Sequence, residues 1–163
     1  MASILRTIRV TPTISAGAIY AAGDAVGQRM SVSLPFGPMQ LGKSKHGYLR
    51  SLLVIDKDNE KANLILHLFR DTFTVAADNA PFGATDAEAV AKGLGIINIA
   101  VADYVSNGTV YAQAVKPALN IPITFPSGKS TLYIQLAAVA TPTYTAASDL
   151  TLVLAFEEAI GQG

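Results

Sequence analysis

An all-β fold, an antiparallel two-sheet sandwich of jelly-roll type with one short helix, is what this sequence predicts. Three observations predict it. Apolar residues recur with period two almost throughout the chain, and successive side chains of a strand point to opposite faces, so each run has one buried and one mixed face. Counting such runs gives about eight, the number typical of two-sheet jelly rolls. Prolines 12, 35, 38, 81, 117, 122, 126 and 142 fall in the gaps or at the ends of runs, as they must, because proline donates no ladder hydrogen bond.

The runs follow in order. Ile4–Ile14 is the first. Gln28–Leu34 alternates Met30, Val32 and Leu34 with Arg29, Ser31 and Ser33. Gly47–Ile55 and Ala62–Phe69 flank a charged knot, Asp56-Lys57-Asp58-Asn59-Glu60-Lys61, and read together as a β-hairpin whose turn sits in water while both arms enter a core. Thr85-Asp86-Ala87-Glu88 is a capping box. Ala87–Lys92 continues the helix it opens, Asp86 and Glu88 suit the positive N-terminal end, and Gly93 can stop it. A short helix in this position reads as a connection between sheets. Gly95–Ala102 and Thr109–Lys116 come next, with a short edge strand at Ile121–Phe125. In Thr131–Val139, Leu132, Ile134 and Leu136 share a face; in Asp149–Glu157, Leu150, Leu152, Leu154 and Phe156 do. With no linker, low-complexity tract or repeat, residues 1–163 read as a single domain.

Composition narrows the function. The 12 Lys plus Arg balance 12 Asp plus Glu, and neither a basic excess nor a basic stripe points to nucleic acid. No uncharged apolar run approaches the roughly 20 residues of a spanning helix, and Arg6 and Arg9 interrupt the first apolar stretch, so neither a membrane span nor a secretory signal is expected. Cysteine is absent, which removes disulfides and thiolate metal sites. Charged residues make up 15% of the chain, against roughly 25% in ordinary soluble domains. Low charge with zero net charge favours self-association; either part of the surface is covered by neighbours or the core is large and Ala-rich.

Several motifs tempt. Gly37-Pro38-Met39-Gln40-Leu41-Gly42-Lys43-Ser44 satisfies GxxxxGK[ST], the phosphate-cradling P-loop pattern, and Leu52-Leu53-Val54-Ile55-Asp56 imitates its metal-binding strand. A P-loop lysine must open a helix, whereas Gly47 leads into a β-like run, and Ser44 to Ser51 leaves no room for a crossover to a parallel strand. The competing reading is a Gly/Pro-rich surface loop. The knot at Asp56 places oxygens at alternate positions like a calcium loop, but Lys61 and His67 stand where an EF-hand needs Gly and Glu. A loose calcium site competes there with a solvated hairpin tip. His46 and His67 have no carboxylate at ligand spacing, no serine sits in GxSxG, and Glu157-Glu158 point to opposite faces of a strand. No catalytic residue, cofactor-binding residue or metal ligand is assigned.

With the runs laid out, the chain resembles the jelly-roll decoration (cement) proteins of tailed bacteriophages. The likeness is carried by Thr11-Pro12-Thr13-Ile14, Tyr20-Ala21-Ala22-Gly23-Asp24-Ala25-Val26-Gly27 and Met30–Leu34. It continues through Leu49–Lys57 with Asp56-Lys57-Asp58, Leu64–Phe69, and Asp78-Asn79-Ala80-Pro81-Phe82 before the helix, and ends with Thr141-Pro142-Thr143-Tyr144 before Ser148-Asp149-Leu150-Thr151. The resemblance implies a non-enzymatic homotrimer, made in the host cytoplasm, that sits on the capsid exterior and clamps the major capsid protein. Residues 1–10 are then a candidate arm, with Ile4, Leu5 and Ile8 as apolar anchors and Arg6 and Arg9 as charge partners; an ordinary sheet strand is the rival for this segment. A carbohydrate-binding tail or fibre component of a virion, using the tyrosines for sugar faces, is the alternative function, and a nucleotide-binding protein built on Gly37–Ser44 the remote one.

Overall fold

The computed structural model describes residues 3–34, 45–126 and 128–159. Ten strands lie among them: β1 (Ser3–Val10), β2 (Ala25–Ser33), β3 (Lys45–Asp56), β4 (Leu64–Phe69), β5 (Gly93–Ile99), β6 (Tyr104–Asn107), β7 (Tyr111–Lys116), β8 (Ile121–Phe125), β9 (Thr131–Ala138) and β10 (Leu150–Ala159). Helix α1 (Asp86–Lys92) stands between β4 and β5, and a 3-10 turn (Val101–Asp103) precedes β6.

The strands form two antiparallel sheets. The first runs β1-β10-β3-β7-β6, with β8 also pairing β3; the second runs β2-β9-β4-β5. Pairing is nested, β1 with β10, β2 with β9, β3 with β7 and β4 with β5, and successive nested pairs alternate between the sheets. That is the winding of a jelly roll. Contacts of β10 with β3 and of β9 with β4 complete the sheets. The period-two residues meet between them: Leu52, Val54, Leu64, Leu66, Leu68, Leu132, Ile134, Leu136, Leu150, Leu152, Leu154 and Phe156 belong to one core. Each such side chain contributes about 1.5–3 kcal/mol by leaving water, which explains why the alternating pattern dominates the fold.

Three expectations change. Gly47–Ile55 and Ala62–Phe69 are not a hairpin: β3 lies in the first sheet and β4 in the second, so the charged knot is a corner between sheets. The corner is solvated only in part: Lys57 and Glu60 are exposed, but Asp56 is fully buried. Its carboxylate accepts from the N–H groups of Asp58 (3.1 Å) and Lys61 (2.7 Å), which lets Asn59 and Lys61 hold positive φ angles. Helix α1 does not connect the sheets, because β4 and β5 are paired neighbours. The third change is at the ends of runs: β1 stops at Val10, before Pro12, and Tyr104–Asn107 forms a strand that pairs with β7.

The long β3 holds two partners on one edge, residues 52–56 against β7 and 45–49 against β8. Opposite β10 its register slips so that Ala155 faces Ser51 while Phe156 faces Leu49. Arg50 is the extra residue, and this bulge turns Arg50 and Ser51 outward together.

Candidate docking surface

The two sheets differ on their outer faces. On the second, residues 70–84 fold back over the strands. Phe73 stacks on Phe69 and Phe82 on His67, both with ring centroids 4.1 Å apart. The buried Gln135 side-chain amide donates to the carbonyls of Gly27 (3.0 Å) and Ala76 (3.2 Å). Asp78 locks the flap: its carboxylate accepts from the N–H groups of Ser15 (2.6 Å) and Gly27 (2.5 Å) and from the Tyr20 hydroxyl (2.8 Å). Gly27 is required at this point, because its φ is +76° and a Cβ would stand 2.6 Å from the Pro12 Cβ.

Among the described residues no such flap crosses the outer face of the first sheet, and of its side chains Thr151 and Ala155 are buried. Residues directly opposite in an antiparallel pair share a face, and the register gives its rows. One row runs Val115, Leu53, Val153, Arg9 across β7, β3, β10 and β1. The next runs Val105, Gln113, Ile55, Thr151. Then come Ser51, Ala155, Thr7 and, at one end, Pro122, Tyr48, Glu157, Leu5. Val105 is 75% exposed, Leu5 64% and Val115 53%. The charges of these rows lie at the margin. Arg9 stands on the edge strand, and at the far end the Arg50 guanidinium donates to Glu157 and Asn120 and lies 4.8 Å from the Tyr48 ring centroid.

The residues singled out from the sequence fall on β1. Ser3–Val10 pairs along β10 in continuous register, so the segment is the edge strand of the first sheet in this structure. Leu5 and Arg9 share the outer face with Glu157 and Val153; Ile8 lies opposite Leu154 and packs against the core. Arg6 is exposed opposite Phe156, and Ile4 stands opposite Glu158. The apolar residues of the other strands on this face are not among the candidates that the sequence singles out. Their signal was present in Leu52-Leu53-Val54-Ile55, where apolar side chains occupy both faces of a strand.

The remaining motifs disperse. Gly37–Ser44 lies outside the described residues, and His46 stands in β3 opposite Thr124. His67 is half-buried under Phe82, and burial pushes its pKa down. At the Asp56 corner the carboxylates serve the chain itself. Asp58 accepts from the Thr145 N–H and hydroxyl, Glu60 from Thr143 N–H and Asp149 from Ala146 N–H, tying the corner to the loop before β10. Burial raises the Asp56 pKa against the pull of its backbone donors. Among the described residues no group of three or more His, Asp or Glu could hold a metal ion, and no helix is long and apolar enough to cross a membrane. Tyr20, Tyr104 and Tyr144 are buried, which halves the supply of rings for stacking on sugars.

No family model matches the chain, and no curated protein matches its sequence. Among solved structures it is similar to a chain of Desmodium yellow mottle tymovirus, at 14% identity over 100% of this chain and 86% of that one, with a TM-score of 0.28. A likeness of that strength carries no argument about function.

Proposed function

We propose that this chain is a structural protein of a bacteriophage virion that binds the capsid exterior, with the major capsid protein as its partner, and stabilises the assembled head. The observation that carries the reading is the exposed β1 margin. An edge strand offers unpaired backbone groups, and here Leu5, Arg6, Thr7 and Arg9 are exposed along it, one apolar side chain followed by two cations at the rim of the sheet. The phage-decoration likeness of the sequence supplies the partner class. A protein that binds only the assembled shell stabilises that shell by mass action, and no chemistry is asked of it.

The test is co-sedimentation of the purified chain with heads that lack it, using the substitutions L5D and R9E. Deleting residues 1–10 is the poorer probe, because it strips β1 from β10 and removes Ile8 and Val10 from the core. Saturable binding that raises the heat resistance of heads and weakens at least tenfold in the double variant is the expected result. No binding of the unaltered chain to well-formed heads overturns the proposal.

A further inference from the structure

The hairpin of β6 and β7 carries a chemistry of its own, independent of the capsid reading. We infer that Asn107 is a site of spontaneous covalent modification, where the side-chain amide is converted to isoaspartate and aspartate through a succinimide formed with Gly108.

Asn107 closes β6 opposite Tyr111, and Gly108 opens the turn between them. The Val110 N–H donates to the Asn107 carbonyl (3.3 Å), Gly108 has a φ of +62°, and Thr109 keeps a negative φ. Such a turn wants glycine at its first central position. The same glycine leaves the backbone beside Asn107 open, since a Cβ built on it meets nothing within 4 Å. Residues 105–110 are all exposed, and among the described residues no hydrogen bond holds the Asn107 amide or the Gly108 N–H. The strand β6 is four residues long and ends the sheet, so the local opening that brings nitrogen and amide together costs little.

The step balances with water alone. The Gly108 nitrogen gives up its proton and bonds to the side-chain carbonyl carbon of Asn107, the bond to the amide nitrogen breaks, and ammonia leaves. Water then opens the ring. Opening at the backbone carbonyl routes the chain through the side chain as isoaspartate; opening at the other carbonyl gives aspartate. Either product sets a carboxylate where a neutral amide stood, and isoaspartate also adds a methylene to the backbone, which breaks the pairing of residues 107 and 111.

The other asparagines are held or crowded. The side-chain oxygens of Asn59 and Asn63 accept from the Ser106 hydroxyl (3.0 Å) and the Val101 N–H (2.7 Å), and that of Asn120 accepts from Arg50. The Ala80 N–H, which follows Asn79, donates to the Ala77 carbonyl (3.2 Å). Asn98 is followed by the branched and buried Ile99. Asn107 alone precedes a glycine.

The test holds the full folded chain at neutral and at mildly alkaline pH and follows its asparagines by peptide mapping over time. After trypsin, Asn98 and Asn107 share the peptide Gly93–Lys116, so Asn98 serves as an internal reference resolved by fragmentation. Asn107 is expected to convert at least tenfold faster than Asn98, with isoaspartate the larger product and a rate that rises with pH. The aged chain is expected to exchange its β6 amides faster than fresh chain. N107Q, at an exposed position, is expected to keep the fold and the fresh-chain exchange rates on the same timescale. An Asn107 that converts no faster than Asn98, or that gives aspartate without isoaspartate, overturns the proposal. So does conversion in the released peptide but not in the folded chain, since the hairpin then protects the residue. The measurement needs no heads, so its failure and that of the capsid reading are separable.

Discussion

Single residues of this chain act mainly by satisfying groups that folding removes from water. Asp78 gathers two backbone donors and one hydroxyl on one carboxylate, and hydrogen bonds to a charged acceptor are each stronger than neutral ones. His67 does the opposite. It lies under Phe82 with its pKa lowered by burial, so the folded state holds the neutral imidazole while the unfolded chain titrates near its ordinary value of about 6.5. Below that value the unfolded state binds the extra proton, so this residue makes stability fall as pH drops from about 7 towards the folded pKa. H67F, which keeps a ring against Phe82, is expected to flatten the slope of unfolding free energy against pH between about 7 and 5. Urea melts at several pH values check it, and an unchanged slope would deny the histidine this role.

At the scale of elements, α1 shows how much a helix owes to its ends. None of its residues is buried. Thr85 accepts from the Glu88 N–H and Glu88 reaches back to the Thr85 N–H, while Lys92 bonds Glu88 and the Thr72 carbonyl. The bond from the Thr85 backbone, with Lys92 and Thr74 added, brings the Glu88 pKa down to about 2. T85A is expected to cost about 1 kcal/mol, confined to the helix. Hydrogen exchange of the α1 amides accelerates several-fold while those of β4 and β9 hold their protection. The helix was legible in the sequence because a capping box is local, four residues that see only one another. The strands were legible as strands for the same reason. Their partners were not, because period two tells which face of a strand is buried and never which sheet it joins. Gly47–Phe69 therefore looked like a hairpin while its arms lie in different sheets. Tyr104–Asn107 was too short to carry a period of its own, and it exists through its pairing with β7. The candidate face was legible in part. Leu5 and Arg9 were named as contacts, yet Val105, Val115 and Val153 come together only through register between strands distant in sequence.

The whole molecule is organised by the nested pairing, whose outermost member joins β1 to β10 from Ser3 opposite Ala159 to Val10 opposite Leu152. The core shared by both sheets sits inside that wrap. The outermost pair gives the molecule a mechanical grain. Tension between Ser3 and Ala159 pulls on two strands at the same end, so their cross-strand bonds are strained and broken one after another, like the teeth of a zip. Tension between Ser3 and Ser148, which precedes the opposite end of β10, slides the strands along each other and strains all those bonds at once. Single-molecule pulling with handles at these positions is expected to give a markedly higher rupture force for the second geometry, and equal forces would contradict it. The same edge that is firmest against sliding is therefore the one most easily peeled, and a load applied through Ser3 and Ala159 meets it in its weaker direction.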